Sequence, residues 1–257
     1  MSVFERTEML LGRESVKKLG NCTVAVFGVG GVGGHCAEAL ARSGIGKLVL
    51  IDGDTVSKSN LNRQIIASLR TLGMPKTEAA AEHIRGIIPG CEIECRQTFV
   101  LPELLESWDF TQFDYVVDAI DTVSAKLAIA KICAKLGIPA ISAMGAGNKL
   151  DPTRFEVTDI YKTSVCPLAS VMRRELRKAG VPGLKVVYSR EPALTPEFQP
   201  CEDEAQAPEN DGKAFRKKAV PASCAFVPAA AGLIMAGEVI RDLCAAELAE
   251  SLEKRGK

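Results

Sequence analysis

The segment Gly28-Val29-Gly30-Gly31-Val32-Gly33 follows a β-branched, apolar run, Thr23 to Phe27. It leads into Cys36-Ala37-Glu38-Ala39-Leu40-Ala41, which favours helix. Glycine lets a backbone turn sharply and approach a phosphate with no Cβ in the way. The helix start adds free amides and a positive dipole end, so the junction suits an anion. Asp52 closes the next apolar run, Lys47 to Asp52, with Asp54 just beyond it. An acid there can accept from a ribose hydroxyl. These features alone read as nucleotide binding, with a nicotinamide dinucleotide as the commonest case. A tight turn needing glycine only for packing is the plain alternative.

A second group of residues changes the chemistry. Asn60-Leu61-Asn62-Arg63-Gln64 follows soon after, and Gly73-Met74-Pro75-Lys76 stands at a helix start. Arg63 and Lys76 would aim two cations into the mouth of the pocket. Two bridged phosphates rarely need both, whereas a triphosphate losing pyrophosphate builds charge on its leaving group and does. Either cation could instead belong to a solvated face. Asp118-Ala119-Ile120-Asp121 ends another strand, where open α/β sheets bind ligands. Asp121 could hold Mg²⁺ against phosphate oxygens, or cap the helix expected from Ser124. Lys126 lies on that helix.

The elements that must position these residues alternate along the chain. Strands are expected over Thr23–Phe27, Lys47–Asp52, Glu92–Thr98, Tyr115–Asp118 and Ile138–Ala143, with helices from Cys36, over Lys76–Ile88 and over Ser124–Leu136. This βαβ order predicts an α/β fold, a Rossmann-like doubly wound and mostly parallel sheet. A capping-box spacing at Ser2 to Glu5 predicts a short first helix closed by Gly12, and a second ends near Gly20. Past residue 150 the pattern weakens. Pro167–Ala179 reads as helix and Lys185–Ser189 as strand. Residues 190 to 222, with Glu202-Asp203-Glu204 and the basic Lys213, Arg216, Lys217 and Lys218, read as a long mobile loop. Pro228 suits the first residue of a final helix to about Leu243.

The chain has 257 residues with 47% hydrophobic and 25% charged content, which excludes a disordered or fibrous chain. Its 32 basic and 32 acidic residues cancel, so a nucleic-acid surface would need local clustering. Arg173, Arg174, Arg177 and Lys178 form one such cluster and Lys213 to Lys218 another, either of which could be merely solvated. Two histidines leave little for a histidine-rich metal site. Nine cysteines, an odd number scattered through apolar segments, fit a reduced, cytoplasmic chain better than a disulfide framework. The beginning MSVFERTEML has no apolar signal core. The apolar stretch from Ala225 to Gly237 is too short for a bilayer and reads as a buried helix, so no membrane is expected.

Taken as an ordered set, the glycine loop, Asp52-x-Asp54, Asn60-x-Asn62-Arg63-Gln64, Lys76 and Asp118-x-x-Asp121 resemble the ubiquitin-activating-enzyme-like adenylyltransferases over roughly residues 2 to 150. The resemblance implies one adenylating domain over 1–257, its nucleotide core in 1–150 and a substrate or dimer part in 151–257. It implies an ATP–Mg²⁺ site that adenylates a carboxylate and releases pyrophosphate. Gly28, Gly30, Gly31, Gly33, Asp52, Asp54 and Gln64 would line the nucleotide, Asn60, Arg63 and Lys76 its phosphates, and Asp121 the metal. Arg6, in Phe4-Glu5-Arg6-Thr7, would reach the ATP of a partner subunit, which requires a homodimer; a surface helix charge is its alternative.

Sulfur-carrier activators in this family carry CxxC pairs for zinc, and this sequence has none; Cys91 and Cys95 read as packing. Thr122 stands where many relatives have Asn. Asp118 to Thr122, Met144 to Pro152, Cys166-Pro167-Leu168 and the small-residue helix after Phe226-Val227-Pro228 are most similar to one branch, the tRNA threonylcarbamoyladenosine dehydratases. Membership there implies ATP-dependent cyclisation of a threonylcarbamoyl side chain on tRNA. The carbamoyl group attacks its own activated carboxylate, so no protein nucleophile is needed. Cys224 would be the thioester candidate if one were, or simply a small buried residue. Activation of a ubiquitin-like sulfur carrier, a nicotinamide-dependent oxidoreductase and a nucleotide-sensing scaffold are the rival readings. A sulfur-relay partner stays open.

Overall fold

A computed structural model describes residues 2–198 and 220–255. Its centre is a seven-stranded sheet: β1 (Thr23–Phe27), β2 (Lys47–Ile51), β3 (Glu92–Arg96), β4 (Tyr115–Asp118), β5 (Ala140–Ala143), β6 (Phe155–Asp159) and β7 (Lys185–Ser189). The spatial order is β3-β2-β1-β4-β5-β7-β6, parallel except for β6 against β7. The expected doubly wound α/β sheet is therefore present. Its order reverses between β1 and β4, the crevice where such sheets take ligands. Phe27 is level with Ile51 on one side and Asp118 on the other, so Gly28, Asp52 and Ala119 leave the sheet at one height.

Helices cover both faces. On one, α3 (Gly33–Arg42) packs against α8 (Phe226–Leu243). Their contact is close because a Cβ on Gly232 would overlap the carbonyl of Val32. Leu40, Met235 and Val239 are fully buried there, each worth about 1.5–3 kcal/mol as a removed apolar side chain. On the other face, α6 (Val123–Leu136) and the short α5 (Pro102–Leu105) enclose a cluster in which Phe27 stacks on Phe110 at 5.8 Å. The helix α7 (Pro167–Lys178) packs on α6. The remaining helices are α1 (Glu5–Leu11), α2 (Arg13–Leu19), α4 (Lys76–Arg85) and α9 (Ala245–Arg255).

Several boundaries differ from the sequence expectation, each for a local reason. The Ser2 capping box does not form: Ser2 Oγ accepts from the Phe4 amide at 3.1 Å, and α1 begins at Glu5 behind Phe4. Helix α4 stops at Arg85 with Gly86 as its C-cap, and the Ile87 amide turns back to the Ile84 carbonyl at 2.9 Å. Strand β3 stops at Arg96, where the Thr98 amide turns back to the Arg96 carbonyl. Pro228 is not the first residue of α8 but sits within its first turn, where its missing N–H costs nothing. The buried helix expected from Ala225 is α8, and β6, α5 and α9 were not foreseen. Among the described residues, no helix is long and apolar enough to cross a membrane.

The expected loop 190–222 is described only at its ends. Residues 199–219, including Lys213, Arg216, Lys217 and Lys218, lie outside the described residues. Both flanks return to Asn148: its carbonyl accepts from the Leu194 amide at 2.8 Å, and its side-chain oxygen from the Ala222 amide at 2.7 Å. Asn148 holds a positive φ of 59° to do so. Nearby, the buried Glu191 carboxylate accepts from the amides of Leu150 at 2.9 Å and Asp151 at 3.0 Å.

Beneath the crevice lies a buried ion pair. Lys126 Nζ sits 3.0 Å from Asp118 Oδ2 and donates to the Ile120 carbonyl at 3.1 Å. Asp118 also accepts from the Ser142 hydroxyl at 2.7 Å. Lys126 therefore braces the end of β4 and does not face a ligand. Removing one partner of such a pair leaves an uncompensated buried charge, at about 3–5 kcal/mol. Lys126→Met is expected to lower unfolding stability by about that amount, read as a lower denaturant midpoint at unchanged slope.

Candidate active site

The glycine loop is shaped by two packing constraints. Gly28 has φ 85°, and a Cβ on it would lie 2.8 Å from the Ala119 carbonyl oxygen. A Cβ on Gly33 would overlap the carbonyl of Gly28. Only glycine therefore lets β1 turn into α3 against the end of β4. Gly31 meets the Pro228 ring, where an added Cβ would come within 3.3 Å, so the start of α8 buttresses the loop from behind. Gly30 is the open position: an added Cβ would find only the Gln64 amide, 3.7 Å away.

Asp52 clasps this loop to β2. Its Oδ2 accepts from the Val29 amide at 2.7 Å and its Oδ1 from the Asp54 amide at 2.9 Å. Lys76, almost buried at the start of α4, places Nζ 2.6 Å from Asp54 and 3.9 Å from Asp52. The Lys76 amide donates to the Asp54 carbonyl at 3.0 Å, which fixes the helix start beside the acids. A short 3₁₀ turn, Lys58–Asn60, carries the next group. Asn60 is buried and its Oδ1 accepts from the Ser57 amide at 3.0 Å, closing the turn as a capping box. Arg63 then donates to the Ser59 carbonyl at 2.8 Å and to Asn62 Oδ1 at 3.0 Å. Partial burial pulls its guanidinium down from the ordinary arginine value.

These residues converge on one cavity of about 640 Å³. Gly28, Gly30, Asp52, Asp54, Asn60, Arg63, Gln64, Lys76 and Asp121 all line it. Gly31 and Gly33 do not; they shape the loop from behind. Arg6 does not line it either, and is exposed on α1, a helix with no buried residue. Asp121 lies exposed at the lip, with the Thr122 hydroxyl at 3.4 Å. It does not cap α6: Thr122 occupies that position, with no side-chain cap bond.

Two features escaped sequence reasoning. Phe99, Val100 and Leu101 form an apolar wall of the cavity, and a Cβ on Gly53 would strike the Phe99 ring at 2.7 Å. The only signal was an apolar run after β3, indistinguishable from core. The second is the role of Asn62 within the Asn60–Gln64 motif: its side-chain amide donates to the Ser223 carbonyl at 3.1 Å and ties the approach to α8 to that motif. Next to it Cys224 is half-buried, its thiol 3.8 Å from the Lys149 carbonyl. Cys91 is buried in the main core, and Cys95 donates its S–H to the Thr77 carbonyl at 3.4 Å, so both pack.

The cavity suits a phosphorylated nucleotide. Gln64 is buried, yet its side-chain oxygen has no hydrogen-bond partner in the protein. An orphaned buried acceptor is costly and calls for a donor supplied from outside. Free amides at the start of α3, two cations, an apolar wall and an open lip carboxylate complete a donor set that fits a base, a ribose, phosphates and a hard divalent cation.

Known proteins are similar to this chain in sequence and in fold. The ThiF family model matches residues 4–255. A tRNA threonylcarbamoyladenosine dehydratase of Bacillus subtilis is 46% identical over 242 residues, covering 93% of this chain and 94% of that protein. The crystal structure of the Escherichia coli tRNA N6-threonylcarbamoyladenosine dehydratase in complex with ATP superposes with TM-score 0.81 at 32% identity, covering 94% of this chain and 93% of that one. An adenylyltransferase and sulfurtransferase of Drosophila sechellia is 34% identical, but over only 54% of this chain and 30% of its own length. Over residues 4–255, from before the glycine loop through the last helix, the chain belongs to the ThiF family.

Proposed function

We propose that this protein is a tRNA threonylcarbamoyladenosine dehydratase that uses ATP to cyclise the threonylcarbamoyl side chain of the adenosine next to the anticodon. The carrying observation is 46% identity to the Bacillus subtilis dehydratase along almost the whole of both chains. The adenylyltransferase and sulfurtransferase of Drosophila sechellia matches over little more than half of this chain.

In this reading the chain works by positioning. The amides of the glycine loop and of the α3 start receive phosphate oxygens. Asp52 keeps unused lone pairs on both oxygens and accepts from the ribose. Lys76 exchanges part of its hold on Asp54 for the phosphates, and Arg63 and Asn60 face the leaving pyrophosphate. Gln64 Oε1 gains the donor it lacks, and the Phe99–Leu101 wall meets the base. Asp121 would hold Mg²⁺, which when bound would offset the charge that grows on the departing phosphates. The threonyl carboxylate, a poor acyl donor, attacks the α-phosphate and is thereby activated. The adjacent carbamoyl group then closes the ring and expels AMP, a step that proximity alone favours strongly. No cysteine is needed, and Cys224 acts as a packed residue beside the rim.

Residues 1–150 hold the nucleotide and 151–257 the RNA-facing part of one adenylating unit, in the cytoplasm with its substrate. Arg6 reaches the phosphates of the partner subunit in a homodimer, which accounts for its distance from its own cavity.

Mass spectrometry of tRNA nucleosides after incubation with ATP tests the reading: the cyclic product should form only with the protein present. Lys76→Ala and Asp121→Ala should each cut pyrophosphate release by about 100-fold or more, with circular dichroism unchanged; near-normal turnover would remove that residue from the site. Mixing Arg6→Ala with Lys76→Ala, each inactive alone, should restore part of the turnover. A mixture that stays inactive would refute action across the dimer.

A further inference from the structure

Away from the nucleotide cavity, the surface of α7 carries a second hollow, of about 410 Å³, lined by Ser170, Arg173, Arg174, Arg177 and Lys178. It shares no residue with the first. We propose that this basic face of α7 grips the phosphate backbone of the RNA substrate; the inference rests on the dehydratase reading and extends it to the place where the tRNA lies.

The helix is strongly two-sided. Ala169, Met172 and Leu176 are buried against the sheet, leaving four cations and one acid, Glu175, among the residues of its second half. Because the whole chain has no net charge, this is a local field and not a general one. The cations are also held in place. Arg173 is anchored on the carbonyl of buried Thr163, 2.8 Å away. The guanidinium of Arg177 lies over the Tyr161 ring at 5.2 Å. Arg174 and Lys178 flank Glu175 at 2.7 and 3.2 Å and hold its carboxyl below the usual range. Guanidinium forks fixed in this way suit bidentate phosphate contacts and lose little freedom on binding.

The place on the fold also fits. Cys166, just before α7, lies against Gly145 beyond the end of β5, with a gap of 3.8 Å to the position of an added Cβ. The helix therefore starts on the sheet edge where the nucleotide cavity opens. At about 1.5 Å per residue, its cations lie roughly 9 to 17 Å along the axis from that edge. A nucleotide entering the cavity would leave neighbouring phosphates within reach of the helix. A lipid surface fits less well, because α7 presents no large exposed apolar residue to enter an interface.

The test is a salt titration of binding to unmodified tRNA transcript by the full chain, unaltered and as R174A/R177A/K178A. The variant should bind at least about tenfold more weakly near physiological salt, and its slope of log affinity on log salt should fall by about two to three. The tRNA kcat/KM should drop in step while the KM for ATP stays put, which separates lost RNA contact from misfolding. Arg174→Lys should keep the slope, which counts charge, while losing part of the affinity that the bidentate fork supplies. An active wild type with a triple variant of unchanged affinity and slope would overturn this surface alone. Wild-type protein that neither binds nor dehydrates tRNA would overturn both readings. Tighter binding of the wild type to phosphatidylserine vesicles than to tRNA, lost in the triple variant, would replace RNA by a membrane and also overturn it.

Discussion

Where β1 ends, its backbone passes so close to the end of β4 that no side chain fits between them. Gly28 faces the Ala119 carbonyl, and Gly33 lies over the Gly28 carbonyl. Everything in the cavity depends on this approach. It sets the turn that starts α3, aims the helix amides outward, and brings Asp52 within 2.7 Å of the Val29 amide. A single methyl group at either glycine would push the loop away from β4 and open the clasp that Asp52 makes. The geometry of the site is thus fixed mainly by backbone, and the side chains are added to a preset frame.

The charges are arranged in two levels with different work. The lower level, Lys126 with Asp118, is wholly buried and satisfied by the Ile120 carbonyl and the Ser142 hydroxyl. It stiffens the strand end, and neither residue lines the cavity. The upper level, Lys76 with Asp54 and Asp52, borders solvent, and one of its acids is half exposed. Such a pair exchanges partners at small cost, as a site that must bind and release an anion requires. The sequence set Lys76 at a helix start facing the pocket and placed Lys126 only on the helix after Asp121; both are buried, and what separates them is the exposure of the partner acid, Asp54 against Asp118.

The first half of the fold was legible because buried parallel strands write themselves as continuous apolar runs, and the glycine loop falls at one of their ends. The site residues between Gly28 and Asp121 were legible for the same reason: most follow a strand or begin a helix, and spacing places them. The second half was obscure. The strand β6 reads FEVTD and is half-buried throughout, so no apolar run marked it. The Phe99 wall was hidden because an apolar loop and an apolar core look the same in one dimension. Gly31 and Gly33 carried the right residue type for a phosphate loop, yet their glycines answer to Pro228 and to Gly28. The orphaned oxygen of Gln64 could be seen only once its surroundings were known.

At Asn148 one residue receives the chain on both sides of residues 199–219. With departure and arrival moored at a common post, Leu194 and Ala222 keep a fixed separation that does not depend on the chain between them.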